Sequence, residues 1–278
     1  MSMTINTNLS ALQVENALNN NNAAMQTAMQ QLSTGSAINT AADNPAGLAI
    51  SQGLQSQIGG LNQAAQNVSD GVNLIQTASG ALTQVSSILQ SINDLAVQAA
   101  NDTNNTDSRT DIQTQVTALA GELTQISAST NFDGVNLLDG SATALNFQVG
   151  AGGTAADNQV TLDLSGANVG TIATAVTGLT FDTAADAETS ITAIQSQIQT
   201  VSTEQATLGA TQNVLTSTGQ SIAVDSENLT AANSTISDTN MATEMANYTK
   251  DSVLVQAGTA MLSQANQNDQ LVLKLLQG

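Results

Sequence analysis

Chemistry at a protein site needs reactive side chains, and this sequence lacks the commonest ones. It contains no cysteine and no histidine. Thiolate nucleophiles, Ser-His relays and HExxH zinc sites are therefore impossible, and the most used general base is absent. Carboxylates, hydroxyls and the cations of Arg109, Lys250 and Lys274 remain. Asp182 with Asp186, and Asp157 with Asp163, could in principle share acid–base work. Both pairs lie in a short polar stretch that promises no pocket, and the spacing of Lys250 and Ser252 is no better than coincidence. The run NDTNNTD at 101–107 has the acids and amides of a calcium loop. It lacks the central Gly and terminal Glu of an EF-hand, so a solvated turn is expected. Gly150, Gly152 and Gly153 do not have GxGxxG spacing or a βαβ setting. No catalytic residue, cofactor or metal is expected, and the chain reads as a non-enzyme.

Composition narrows the partners. Acidic residues number 22 against three basic ones, for a net charge of −19. Such a surface repels phosphates and anionic lipids, so neither nucleic acid nor membrane is an expected partner. No apolar run of about 18 residues is present, and MSMTINTNLSAL lacks the features of a secretory signal. The aromatics are Phe132, Phe147, Phe181 and Tyr248 alone. Without large rings, burial falls to Ala, Leu, Ile and Val in helix seams, which favours long rods over a globule.

The elements follow from the spacing of those aliphatics. In the first 32 residues Ile5, Leu9 and Leu12 form one stripe, and Val14, Leu18, Met25 and Leu32 form a second, weaker one. Asn19 to Asn22 interrupt both with poor helix formers. Pro45, the single proline, marks a helix start, with Asp43 and Asn44 placed to cap its free N–H groups. The pattern then runs unbroken to about Ala100, some 80 Å of helix. Ile112, Val116, Leu119, Leu123 and Ile126 predict a second helix able to fold back on it. Between 131 and 185, NFDGVNLLDG, LNFQVGAGG and NQVTLDLSG read as strands and hairpins. From about Ala185 a seam returns, with Leu208, Leu215, Ile222, Leu229 and Ile236 every seven residues. The register breaks at Ser237–Asn240, and Met241, Met245, Tyr248, Val255 and Leu262 continue to the apolar LVLKLLQ. Neither end carries enough aliphatic surface to repay its own ordering, so both are expected to fold by packing together and against other subunits.

Particular stretches carry a family resemblance. LSTGSAINTAADNPAGLAIS and TINTNLSALQ resemble the N-terminal signature of bacterial flagellins, and LTAANSTISDTNMATEMANYTKDSVLVQAGTAMLSQANQ resembles their C-terminal one. NFDGVNLLDG and FQVGA resemble the hairpin segment of that family. The resemblance covers about residues 4–150 and 185–278 in the family's order. It implies a mainly α fold, with long antiparallel coiled-coil helices formed by both chain ends and a small β-hairpin region in the middle. It divides the chain into an inner coiled-coil domain (1–44 and 236–278), a helical rod domain (45–135 and 186–235) and a short β-rich outer segment (136–185).

The function so implied is a structural subunit of the extracellular flagellar filament, used for swimming; the alternative is a minor flagellin or hook–filament junction protein. Its partners would be copies of itself, an export chaperone with the flagellar type III export apparatus, and cap and hook-junction proteins. Subunit packing would fall to Ile5, Leu9, Leu12, Leu32, Pro45, Leu48, Met241, Met245, Tyr248, Val255, Leu262 and Leu273. The segment holding Leu89, Ser91, Asn93, Leu95 and Gln98 matches the one that an innate receptor binds in recognised flagellins. That match is weakened, because Ser91 and Asn93 stand where the family commonly has arginine. Ser36 and Ala37 likewise replace a common basic pair. The excess of carboxylates suits an acidic setting, where their protonation takes the net charge from −19 toward +3. Economy of synthesis in an abundant secreted protein would explain the same composition.

Overall fold

The computed structural model describes residues 8–277, with side chains from 8 to 267. In chain order it forms α1 (Leu9–Thr34), α2 (Pro45–Ala99), α3 (Thr106–Ser129), β1 (Asn131–Phe132), β2 (Val135–Asn136) and β3 (Ala144–Gln148). Then come α4 (Ala155–Asn158), β4 (Gln159–Asp163), α5 (Val169–Thr177), α6 (Ala184–Ser237) and α7 (Met241–Gln277). The fold is mainly α, with two small antiparallel sheets. The chain divides into two compact units, residues 1–56 with 228–278, and residues 57–227.

Helix ends are set by local chemistry. Asn8 Oδ1 accepts the Ala11 N–H at 2.9 Å to start α1, and Gly35, at φ 73°, ends it by donating its N–H to Gln31. A residue without Cβ takes that left-handed conformation most easily. Asn44 Oδ1 caps α2 through the Gly47 N–H at 2.9 Å, as expected of it. Asp43 does not share that task. Its carboxylate turns back to accept the N–H groups of Asn39 and Thr40, and so shapes the loop before the helix. Asn240 opens α7 by accepting the Ala242 and Thr243 N–H groups, at the register break seen in the sequence.

The second unit holds the core. Ile75, Leu82, Val85, Leu89, Ile92 and Ala96 of α2, Ile112, Val116 and Leu123 of α3, and Ile194, Val201, Leu208 and Leu215 of α6 are all fully buried. The aliphatic spacings read from the sequence thus become contacts between helix seams. Arg109 Nε donates to the Ala99 carbonyl at 3.0 Å, placing a cation on the C-terminal end of α2. Asp182 and Asp186 are not a reactive pair: Asp186 accepts from the Thr183 N–H and hydroxyl while Thr183 Oγ1 accepts the Asp186 N–H, a reciprocal cap at α6.

Two hairpins occupy the middle of this unit. β1 and β2 join through Asp133 and Gly134, with φ 49° and 80°, the Asp-Gly turn legible in NFDGV. β3 and β4 pair from Ala144↔Asp163 to Gln148↔Gln159. Leu145, Phe147, Val160 and Leu162 share one face of this ribbon and pack on the core. A Cβ on Gly71 would lie 3.0 Å from Phe147 and 3.1 Å from Leu215, so the missing side chain lets α2, β3 and α6 meet closely. Asn67 Nδ2 fixes the same approach by donating to the Gln148 carbonyl at 2.9 Å.

The reading of 131–185 as strands and hairpins missed α5. VGTIATAVT is rich in β-branched residues, yet Asn168 Oδ1 caps it at the Thr171 N–H, and Val169, Ile172, Ala173 and Val176 form a buried helical stripe facing α3. Tertiary burial outweighs its weak intrinsic preference. Truncating the core should show how far the unit depends on such seams. Leu208→Ala is expected to lower unfolding stability by about 2–5 kcal/mol in urea titrations, the usual cost of a fully buried leucine. A loss below about 1 kcal/mol would mean that the seam is not tightly packed.

Candidate functional site

The terminal unit is built differently. Among the described residues its one buried hydrophobic side chain is Ala28; all other buried hydrophobics lie in 57–227. α1 packs along α7, with Asn8 Nδ2 donating to the Ala265 carbonyl at 3.2 Å and Leu18 against Gly258. The shielded positions of α1 centre on Ala11, Val14, Leu18, Asn21, Met25, Ala28 and Leu32, with Asn22 and Gln31 at the edge; those of α7 include Tyr248, Asp251, Val255, Gly258, Leu262 and Ala265. Each set follows three-and-four spacing, so one narrow stripe per helix is covered.

The large apolar side chains off those stripes stay in solvent. Leu9 is 62% exposed, Leu12 50%, Met29 50%, Met241 48%, Met245 50% and Met261 60%. The residues expected to pack subunits therefore fall into two groups. Leu32, Leu48, Tyr248, Val255 and Leu262 are half-buried within the chain, whereas Leu9, Leu12, Met241, Met245 and Pro45 are exposed. Ile5 and the side chain of Leu273 lie outside the described residues. Both stripes of α1 were visible in the sequence, but spacing alone does not say which faces α7. A shallow apolar trough on α7 is lined by Met245, Ala246, Thr249, Lys250, Val253 and Leu254. Lys250 Nζ lies 3.9 Å from Asp251 and not on Ser252 as a catalytic pair would require.

The two segments linking the terminal helices to α2 and α6 are tied by main-chain bonds. Ala37 donates to the Ser237 carbonyl at 2.6 Å and Thr239 to the Gly35 carbonyl at 3.0 Å. The Ser36 hydroxyl donates to Ser237 O at 2.9 Å, and Ser51 Oγ donates to Asn233 Oδ1 at 2.7 Å. No cation takes part in these bonds. In the segment matched to the innate receptor, Leu89 is fully buried and Leu95 half-buried, while Ser91 and Gln98 are exposed. Asn93 Oδ1 is buried without a hydrogen-bond partner.

Glu204 is a residue that the spacing of Leu208, Leu215 and Ile222 alone does not bring out. It stands between Val201 and Leu208 on α6, three residues after one and four before the other, and that spacing was the signal. Its Oε1 is buried without a partner, and a Cβ at Gly166 would fall 2.5 Å from Oε2. Burial, then the Asp163 carboxylate, pushes the Glu204 pKa up. Asp163, held by the Ser165 hydroxyl and N–H, is itself lowered, as are Asp139 through Ser141, Asp43 through the Thr40 and Asn39 N–H groups, and Asp238 through Ser234. The signs oppose each other. Glu204 stabilises the fold below its unfolded pKa of about 4.5, and this contribution is lost as pH rises through its higher folded value. The lowered aspartates contribute above about 3.8, and that stability is lost as pH falls through their folded values. Glu204→Gln should flatten the decline in melting temperature above pH 4.5 and leave the acid limb unchanged. Equal slopes above that pH in parent and variant would contradict it.

No described helix is long and apolar enough to cross a membrane, and no described cluster of three carboxylates could hold a metal. The family model for the bacterial flagellin N-terminal helical region matches residues 5–143, and that for the C-terminal helical region matches residues 191–276. Flagellin of Bacillus subtilis (strain 168) is 42% identical over 307 residues, covering 99% of this chain and all of that one. Flagellin of Halalkalibacterium halodurans is 41% identical over 274 residues, with 99% and 100% covered. A crystal structure of Bacillus cereus flagellin is 30% identical over 60% of this chain and 94% of that one, with a TM-score of 0.48. Full-length identity to flagellins does not favour the hook–filament junction alternative. The packed second unit, the coreless terminal unit and these full-length matches agree: the chain belongs to the bacterial flagellin family, structural and non-enzymatic subunits of the extracellular flagellar filament.

Proposed function

We propose that this chain polymerises with copies of itself through its terminal helices, α1 and α7 pairing as an antiparallel coiled coil in the inner layer of the filament that drives swimming. The observation that carries this reading is the exposure of Leu9, Leu12, Met29, Met241, Met245 and Met261 in a unit whose sole buried hydrophobic among the described residues is Ala28. Apolar side chains left in water on a unit without a core gain about 25 cal/mol per Å² when a neighbour covers them. Residues 1–44 and 236–278 form the inner domain, 45–135 and 186–235 the rod, and 136–185 a short outer segment. Leu9, Leu12, Pro45, Met241 and Met245 face other subunits. Leu32, Leu48, Tyr248, Val255 and Leu262 hold the subunit's own helices in place for that contact.

The same weak terminal packing suits export. A chain that must pass unfolded through the type III export apparatus benefits from ends that gain most of their burial only on assembly. The export chaperone binds the C-terminal helical region before secretion, and cap and hook-junction proteins meet the same terminal surfaces afterwards. The innate-receptor segment binds its receptor weakly, since Leu89 is buried and uncharged Ser91 and Asn93 stand where cations would reach out.

A double substitution, Leu12→Ser with Met245→Ser, tests the proposal. Both side chains are exposed in the monomer, so its unfolding stability should shift by no more than about 0.5 kcal/mol per site. Filament formation, followed by sedimentation and electron microscopy, should be lost, as it should on removal of residues 1–35 or 241–278. Filaments of normal yield from the double variant would refute the assignment of these faces.

A further inference from the structure

The distribution of methionine is uneven. All seven methionines lie in residues 1–56 and 228–278, and none in residues 57–227. The packed unit uses Ile, Leu, Val and Ala instead. Met25 is half-buried on the stripe facing α7, but Met29, Met241, Met245 and Met261 are 48–60% exposed. The chain has no cysteine, no tryptophan and one tyrosine. Its thioethers are therefore its most readily oxidised side chains.

We propose that Met29, Met241, Met245 and Met261 form a peroxide-sensitive modification site on the unassembled chain, whose oxidation blocks polymerisation. A lone pair on Sδ attacks one oxygen of hydrogen peroxide, the O–O bond breaks, and an S–O bond forms. Sulfur is oxidised by two electrons, the peroxide is reduced, and water leaves. The product sulfoxide is polar and chiral, so a flexible apolar contact becomes one that resists burial. In the free chain these groups meet solvent and need no unfolding to react. The second unit has no methionine to lose, so its core survives the same treatment. The inference rests on the proposed assembly through these faces: once neighbours cover them, the thioethers are shielded. Because sulfoxides are returned to thioethers by dedicated reductases, the block is reversible.

The test begins with untreated full-length chain, which must form filaments; failure at that step would refute the assembly reading itself. Monomer is then treated with hydrogen peroxide, and sulfoxide at each methionine is read by peptide mass spectrometry. With the four sites oxidised, polymer yield should fall about tenfold or more, equivalent to roughly 1.4 kcal/mol in the assembly equilibrium. The melting transition of the second unit should not move. Reduction by the two methionine sulfoxide reductases with a dithiol should restore assembly. Preformed filaments under the same peroxide should oxidise at these sites at least about tenfold more slowly. A chain with Leu at all four positions should polymerise before and after treatment; if it does not assemble, the reductase arm gives the same reading on the natural sequence. Normal assembly of chain carrying all four sulfoxides would overturn this inference alone, as would equal oxidation rates in monomer and filament.

Discussion

The pairing of α1 with α7 is narrow, and much of the molecule depends on that. The positions it covers are small or polar at many points: Ala11, Asn21 and Ala28 on one helix, Asp251, Gly258 and Ala265 on the other. Small side chains bring helix backbones together but remove little apolar area from water. A wider stripe would have buried Leu12 and Met245 within the chain and given the terminal unit a core of its own. Such a unit would be stable alone and would have less surface to offer a neighbour. The seam composition thus trades stability of the free chain for surface available on assembly.

Residues 57–227 solve the opposite problem with the same small alphabet. Their core has a single fully buried ring, Phe181, and is otherwise aliphatic, so burial comes from long seams rather than from a compact centre. Charged residues make up 9% of the chain, and the two ion pairs among the described residues both measure 3.9 Å. Polar faces are satisfied differently. Hydroxyls of Thr77, Thr83, Ser87 and Ser91 on α2, and of Thr203, Thr207 and Thr211 on α6, donate to the carbonyl four residues earlier. Such bonds need no partner on another element, so neutral helix faces remain soluble without fixing neighbours by charge. Repulsion among carboxylates at neutral pH is then the main long-range term, and salt weakens it.

Most long elements were legible because their signals repeat. Pro45 starts α2, the Ser237–Asn240 break separates α6 from α7, and the Leu208–Leu215–Ile222 repeat is buried as spaced. What the sequence withheld depends on context. Two stripes of α1 had helical spacing, and only the presence of α7 decides that Val14, Leu18 and Met25 turn inward while Leu9 and Leu12 do not. α5 is nine residues long and β-branched, so its composition reads as strand; Asn168 as cap and the apolar spacing of Val169, Ile172, Ala173 and Val176 are the local signs of a helix, and burial against α3 decides between them. Glu204 has the spacing of a seam residue between Val201 and Leu208, but nothing local announces the Gly166 backbone that lies against its carboxylate. Asp43 could have capped α2 by position, but the loop folds back and uses it first.

The crossing segments show why missing cations need not be missed. Where the family resemblance leads one to expect a basic pair, Ser36 and Ala37 both direct donors at one acceptor, the Ser237 carbonyl. A last-turn carbonyl of a helix carries the negative end of its dipole and lacks an intrahelical partner, so two donors there satisfy a group that would otherwise need water or a charge. Gly35 returns the exchange by accepting from Thr239. These bonds carry no charge and are insensitive to salt, unlike an ion pair, while the Asp238 carboxylate beside them accepts from the Ser234 and Ser237 hydroxyls. Replacing Ser36 by a lysine or arginine removes the hydroxyl, which lies 2.9 Å from both the Ser237 and Ile38 carbonyls, and leaves the main-chain bonds of Ala37 and Thr239 in place. The cation-free crossing and the sparse ion pairs are one solution, in which hydrogen bonds from main-chain and hydroxyl groups carry what ion pairs carry elsewhere.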